Sequence, residues 1–264
     1  MILLEYLEVA YGRKPVLEID RLEVHPGERV AVIGPSGSGK SSLLRAIKGY
    51  VPPARGKVEV LGVNLASASR AVRRNLNPRV GVIYQQFHLA RKLSVLDNVL
   101  CGRLGSTSRW RSLLGWFSAE DRRIAWSAIC EVGLRDKLHR RADTLSGGEQ
   151  QRVAVARALA QQPSLILADE PVSSLDPAWA EDVLDLIAEV QAHHDATLVM
   201  SLHQPELARR FAKRIVGLRH GRVVFDGPPS ALTPARQEEL YRGDEILRLD
   251  TPPARPGTSA TLPA

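Results

Sequence analysis

Apolar residues fall along this chain in two rhythms. Short apolar runs at residues 30–33, 79–84, 165–168 and 197–202 read as strands buried on both faces. Between them, residues three and four apart repeat as apolar, the helical period. Before residue 30, the segments 2–7, 16–19 and 22–24 alternate with turn clusters around Gly12 and Gly27, which predicts an antiparallel layer. From about residue 89 to 159 the pattern turns helical. Its place between strand-rich stretches predicts a helical subdomain inserted in an α/β core.

Breakers sharpen the boundaries. Pro52 and Pro53 end a helix that begins at Ser41, residues 57–61 return as a strand, and residues 62–77 are polar and Arg-rich. Ser118, three residues before Asp121, has the form of a capping box for a helix carrying Ile124, Ile129 and Val132 and stopping at Gly133. Pro163 ends the helix of residues 150–160. Asp176 followed by Pro177 predicts an N-cap with proline at the first helical position, and Val183, Leu184, Ile187 and Val190 make that helix's apolar face. Residues 215–218 and 222–225 flank Gly221 as a hairpin, and residues 250–264, rich in proline and without apolar period, predict a disordered tail.

The chemistry concentrates at strand ends. The strand 30–33 runs into Gly34, Pro35, Ser36, Gly37, Ser38 and Gly39, and Lys40, Ser41 and Ser42 open a helix. Gly34, Gly39, Lys40 and Ser41 stand at phosphate-loop spacing. Glycines let backbone N–H groups turn inward around an anion, and the helix adds its positive dipole end. Lys40 is expected to reach the β/γ-phosphates and the Ser41 hydroxyl to ligate Mg²⁺. The chain is therefore expected to bind a nucleoside triphosphate.

Strand 165–168 ends at Asp169 and Glu170. Beside a triphosphate, Asp169 suits the metal and Glu170 suits proton transfer from an attacking water. His203 closes strand 197–202 at the same edge and is expected to face the γ-phosphate rather than serve packing. Ser146 and Glu149 form a second capping box, with Gly147 and Gly148 in the first turn. Glycine there weakens a helix by about 1 kcal/mol relative to alanine. A second anion site and a plain helix cap both remain open. Tyr11 either stacks on an adenine or is a turn aromatic.

Composition narrows the class. The 264 residues are 44% hydrophobic and 25% charged, an ordinary globular balance. No apolar run approaches the roughly 18–20 residues that span a bilayer, and the first residues lack the form of a signal peptide. The protein is expected to stay where it is made, with Cys101 and Cys130 as reduced thiols. A net charge of +7 suits nucleic acid, anionic lipid or solubility alike.

Together these clusters resemble the ATP-binding subunit of an ATP-binding-cassette (ABC) transporter, from about residue 2 to 227. The signature Leu145-Ser146-Gly147-Gly148-Glu149 carries most of the likeness. The resemblance implies an α/β fold: a P-loop NTPase (RecA-like) core with an antiparallel β subdomain and an inserted α-helical subdomain. The ATP-binding domain then covers residues 1–249, with the helical subdomain at about 89–159. By the same resemblance Tyr11 stacks on adenine and Gln85 is a lever glutamine sensing Mg²⁺ and water. Asp169 becomes the metal-side acid, Glu170 the catalytic base, Asp176 the D-loop residue and His203 the switch histidine. Glu149 stands where many members have glutamine.

Within the family, residues 98–105 and 111–117, the run from Ala168 to Asp176, and Ser201-Leu202-His203-Gln204 are most similar to ATPases of phosphonate importers. A related oxyanion such as phosphite stays open. The implied machine is a homodimer using ATP and Mg²⁺, each ATP lying between Lys40 of one copy and Ser146, Gly147 and Gly148 of the other. The expected partners are an integral-membrane permease and, through it, a periplasmic or extracellular substrate-binding protein, at the cytoplasmic face of the inner membrane. Phe87, Leu89, Leu93 and Trp110 are expected to meet the permease near Gln85, with Arg103, Arg109 and Arg111 facing lipid headgroups. The rival classes are a soluble ABC ATPase acting on nucleic acid and a small-molecule kinase. A single cassette with a short insertion argues against the first, so no nucleic acid is expected. The capped Ser-Gly-Gly helix argues against the second.

Overall fold

A computed structural model describes residues 2–12, 14–107 and 115–242. The chain opens with an antiparallel hairpin, β1 (Ile2–Tyr11) and β2 (Lys14–Val24), in which Tyr11 pairs with Lys14. One strand thus replaces the two segments expected at 16–19 and 22–24, because the polar pair Asp20 and Arg21 is exposed within β2 and makes no turn. There follow β3 (Arg29–Ile33), α1 (Lys40–Lys48), β4 (Arg55–Val60), β5 (Val63–Asn64), α2 (Arg70–Leu76) and β6 (Val80–Tyr84). The helical stretch holds α3 (Val95–Leu100), α4 (Ala119–Glu131) and α5 (Gly147–Leu159). The rest is β7 (Leu165–Asp169), α6 (Pro177–His193), β8 (Thr197–Ser201), α7 (Pro205–Phe211), β9 (Arg214–Arg219), β10 (Arg222–Gly227) and α8 (Pro234–Tyr241).

Two sheets result. The antiparallel layer has the order β2-β1-β4-β5, and a six-stranded sheet has the order β10-β9-β3-β8-β7-β6. In the latter, β9, β3, β8, β7 and β6 run parallel and only β10 is antiparallel. Side chains alternate across a strand, and that alternation divides the core. Ala31, Ile33, Ile166, Ala168 and Met200 pack among the helices α3 to α8. Their neighbours Val30, Val32, Leu165, Leu167 and Val199 pack with α1 and the antiparallel layer. Both faces are covered, as a parallel sheet requires. The register places Tyr84, Asp169 and Ser201 side by side at the carboxyl ends of β6, β7 and β8.

The capping box of α4 forms as expected: Ser118 Oγ accepts from the Asp121 N–H at 3.0 Å, and Asp121 accepts from the Ser118 N–H at 3.1 Å. Asp121 also pairs with Arg103 at 3.0 Å, and Arg103 donates to the Ala160 carbonyl at 2.7 Å. This corrects the lipid-facing expectation for Arg103, which is buried. Its guanidinium joins the segment after α3 to α4 and the end of α5. Arg109, Arg111 and Trp110, like the tail, lie outside the described residues.

Burial alone would raise the Asp121 pKa, but hydrogen bonds from Ser118 and Arg103 outweigh it and hold the carboxyl below the usual range. A depressed carboxylate contributes stability above its unfolded pKa of about 3.9 and loses it as pH falls through the folded value. Arg103→Met, which strands the buried carboxylate, should destabilise the chain by about 3 kcal/mol. Urea unfolding at pH 7 measures the deficit, which should shrink at acid pH once Asp121 is protonated.

Candidate active site

The phosphate loop leaves β3 and enters α1 under constraints that only glycine meets at two positions. A Cβ on Gly34 would lie 2.0 Å from the Leu218 carbonyl oxygen, and Gly39, at φ 107°, would push one to 2.6 Å from Leu17. The loop rests on the C-terminal hairpin: the Gly221 N–H donates to the Ser38 carbonyl at 3.0 Å, and β9 runs beside β3 with Gly217 opposite Ile33. Lys40 is buried, and its ammonium donates to the Gly34 and Pro35 carbonyls at 2.8 and 3.0 Å. The buried Ser38 hydroxyl has no hydrogen-bond partner among the described residues.

Across the loop, Ser41 Oγ donates to Asp169 Oδ1 at 2.9 Å. The same oxygen accepts from Ser201 Oγ at 2.8 Å, and Ser201 Oγ accepts from the Glu170 N–H, also at 2.8 Å. Glu170 sits at φ 48°, in the left-handed region, with its carbonyl held by Ser173. His203 Nε2 lies 2.5 Å from Glu170 Oε1. A cavity of about 270 Å³ has Ser36, Gly37, Lys40 and Ser41 on one wall and Glu170 and His203 on the other. The volume lies at the small end of ligand clefts, enough for the phosphate end of a nucleotide.

Other expected residues lie apart from this cavity. Gln85 follows β6 at the same sheet edge and is exposed, but it lines none of the cavity wall. Tyr11 ends β1, partly exposed and likewise off the wall. Asp176 stands at the N-cap position of α6 with Pro177 following, but its side chain makes no capping bond among the described residues, contrary to the cap expected from the sequence. Ser146 and Glu149 make the expected box on α5, with Ser146 Oγ accepting at 3.3 Å and Glu149 at 2.9 Å. A hydrogen bond from the Lys137 ammonium holds the Glu149 carboxyl below its usual range. Phe87 and Leu89 are half-buried, Leu89 against the core, while Leu93 is exposed.

The ABC transporter family profile matches residues 17–173. The chain is 48% identical over 255 residues to phosphonates import ATP-binding protein PhnC 2 of Pseudomonas aeruginosa, covering 94% of this chain and 91% of that one. It is 43% identical over 247 residues to PhnC of Escherichia coli O6:K15:H31, covering 92% and 94%. Among solved structures, the dimeric ATP-binding cassette MJ0796 bound to ADP and Pi aligns with TM-score 0.75 and 31% identity, over 87% of this chain and 99% of that one. The fold is also that of cbiO1 from Clostridium perfringens, part of the ABC transporter complex cbiONQ, at TM-score 0.78 and 23% identity over 94% and 97%.

This chain belongs to the ABC transporter family.

As an ABC cassette it binds and hydrolyses ATP, and the P-loop α/β fold is the one its sequence implies. Two features of this cassette escaped the sequence. Ser201 ties Asp169 to the Glu170 backbone, yet it closes a strand whose residues are all buried, so no polar rhythm marks it. Trp179, 48% exposed, lies over the signature: a Cβ on Gly148 would come within 3.2 Å of its indole. The glycine thus lets the indole approach the helix closely, a pairing that 30 intervening residues conceal. Ser201→Ala leaves the Glu170 N–H without its partner, at a cost of about 1–3 kcal/mol. ATP turnover should fall about tenfold while nucleotide affinity, measured by titration, changes little.

Proposed function

We propose that the chain is the ATPase subunit of a phosphonate importer, bound to the cytoplasmic face of the inner membrane through a permease that a periplasmic or extracellular binding protein supplies. The similarity to phosphonate import ATP-binding proteins along nine-tenths of the chain carries the cargo. Among the described residues no helix is long and apolar enough to cross a membrane. The half-buried Phe87 and exposed Leu93 offer a receiving surface beside a cleft of about 360 Å³ that reaches Lys48, Tyr84 and His88. Burial of Lys48 there pushes its pKa down to about 8.

The site's geometry supports a division of labour. Lys40, the loop N–H groups and the unpartnered Ser38 hydroxyl suit the β- and γ-phosphates. Ser41 and Asp169 bring two hard oxygens together, a donor set that fits Mg²⁺ sharing the phosphates and water. Bound there, the ion would neutralise charge on the transferring phosphoryl group. Glu170 takes a proton from water as the water oxygen attacks the γ-phosphorus, and the bond to the bridging oxygen of the β-phosphate breaks. His203, against Glu170, orients the carboxylate and meets the γ-phosphate. Gln85 senses the metal and water, and Tyr11 stacks on the adenine.

The first turn of α5 faces a second copy in this reading. Ser146, Gly147 and Gly148 close over its ATP, Glu149 fixes the turn, and Asp176 lies at the same junction. Residues 1–249 form the cassette, with residues 89–159 as the subdomain that presents the signature. Charge-assisted bonds of about 1.5–3 kcal/mol each hold the γ-phosphate between the copies. Hydrolysis removes that shared anion and opens the clamp.

Glu170→Gln should retain ATP and lose roughly 10²–10⁴-fold in turnover. In sedimentation this variant should dimerise with ATP, and adding Ser146→Arg should abolish the dimer; an undiminished dimer fraction contradicts the two-copy site. Deleting the gene in cells lacking a paralogue should stop growth on a phosphonate as sole phosphorus source while growth on phosphate continues. Unimpaired phosphonate growth refutes the cargo and leaves the ATPase standing.

A further inference from the structure

The segment after Gln85 is bent into an uncommon shape. Phe87 and His88 are consecutive non-glycine residues at φ 54° and 47°, both left-handed. Such a pair persists only where neighbouring groups over-determine it. The neighbour is Arg157, in the last turn of α5: its Nη2 donates to the Phe87 carbonyl at 2.6 Å and its Nη1 to the His88 carbonyl at 2.5 Å. One planar fork thus holds two successive carbonyls, a geometry a lysine ammonium does not reproduce. The Arg157 backbone is itself wedged in place, since a Cβ on Gly102 would lie 2.3 Å from its carbonyl oxygen. One turn from the start of the same helix, buried Gln151 donates to the Pro171 carbonyl at 2.6 Å, one residue beyond Glu170. Helix α5 therefore grips the segment behind Gln85 and the segment behind Glu170, while its first turn carries the signature.

We propose that Arg157 is a positioning residue for ATP hydrolysis: its fork on the Phe87 and His88 carbonyls sets Gln85 and passes displacements of the signature helix to it. The inference rests on the reading of Gln85 as the lever at the γ-phosphate. Arg157 touches no substrate in this account. It acts through the backbone it bends, so a signature helix moved by a second copy's ATP moves the lever segment of its own site.

The test uses the full chain, measuring kcat, ATP affinity and thermal melting. Arg157→Met should lower kcat about tenfold with ATP affinity within about twofold of the parent. In a Gln85→Ala background the same change should cost less than about twofold, because residues acting through one another are not additive. His88→Gly should recover part of the kcat lost in Arg157→Met, since glycine takes the left-handed shape without steric cost. Should Arg157→Met fail to fold, Arg157→Lys keeps the charge and serves one carbonyl, and an intermediate loss of kcat is expected. An unchanged kcat in a folded Arg157 variant, or the full loss repeated on Gln85→Ala, overturns the proposal. If Gln85→Ala itself keeps the parent kcat, the lever reading fails with it. If that variant is slow and the Arg157 variants are not, only the present inference falls.

Discussion

The Asp169 oxygen that accepts from both Ser41 and Ser201 joins three elements at one point: the first turn of α1, the end of β7 and the end of β8. Bonds to a charged acceptor are worth about 1.5–3 kcal/mol, well above neutral pairs. The Ser201 hydroxyl spends its single proton on Asp169 and offers a lone pair to the Glu170 N–H, so each bond polarises the next. Asp169 and Glu170 are thereby held in one geometry by Ser201. The parallel register of β6, β7 and β8 makes this possible, because it aligns Tyr84, Asp169 and Ser201 across the sheet edge.

Three left-handed residues stand at that same edge. Glu170 after β7 and Phe87 and His88 after β6 all take left-handed backbone, which costs roughly 1–2 kcal/mol per residue. Each is held by hydrogen bonds from outside its own segment, Glu170 by Ser201 and the other two by Arg157. The same shape also occurs away from this edge, at Tyr6 within β1 and at Leu61, Gln162, Asp195 and His220 in the connections between elements. What sets Glu170, Phe87 and His88 apart is that long-range side-chain bonds hold them beside the phosphate loop's edge of the sheet.

The parts legible in the sequence share one property: their cause is local. Glycine spacing in the phosphate loop, the Ser118 and Ser146 capping boxes and the apolar strands all follow from neighbours within a few residues. Arg103 misled because an arginine in a helical, partly aromatic stretch looks solvent-facing, whereas its partners are Asp121 and the Ala160 carbonyl, 18 and 57 residues away. Ser201, Trp179 and Arg157 were silent for the same reason. Their roles depend on register and packing between elements, which no window of sequence contains.

The hairpin behind the phosphate loop has a consequence for how the protein is made. Leu218 presses on Gly34, Gly221 bonds Ser38, and β9 is the strand that flanks β3 on the side away from β8. A chain still emerging from a ribosome holds every motif from Gly34 to His203 before residues 214–221 have been added. Until then the loop has its glycines and lysine but no floor. The part of the phosphate-binding site that comes earliest in the sequence is therefore among the last to find its full set of neighbours.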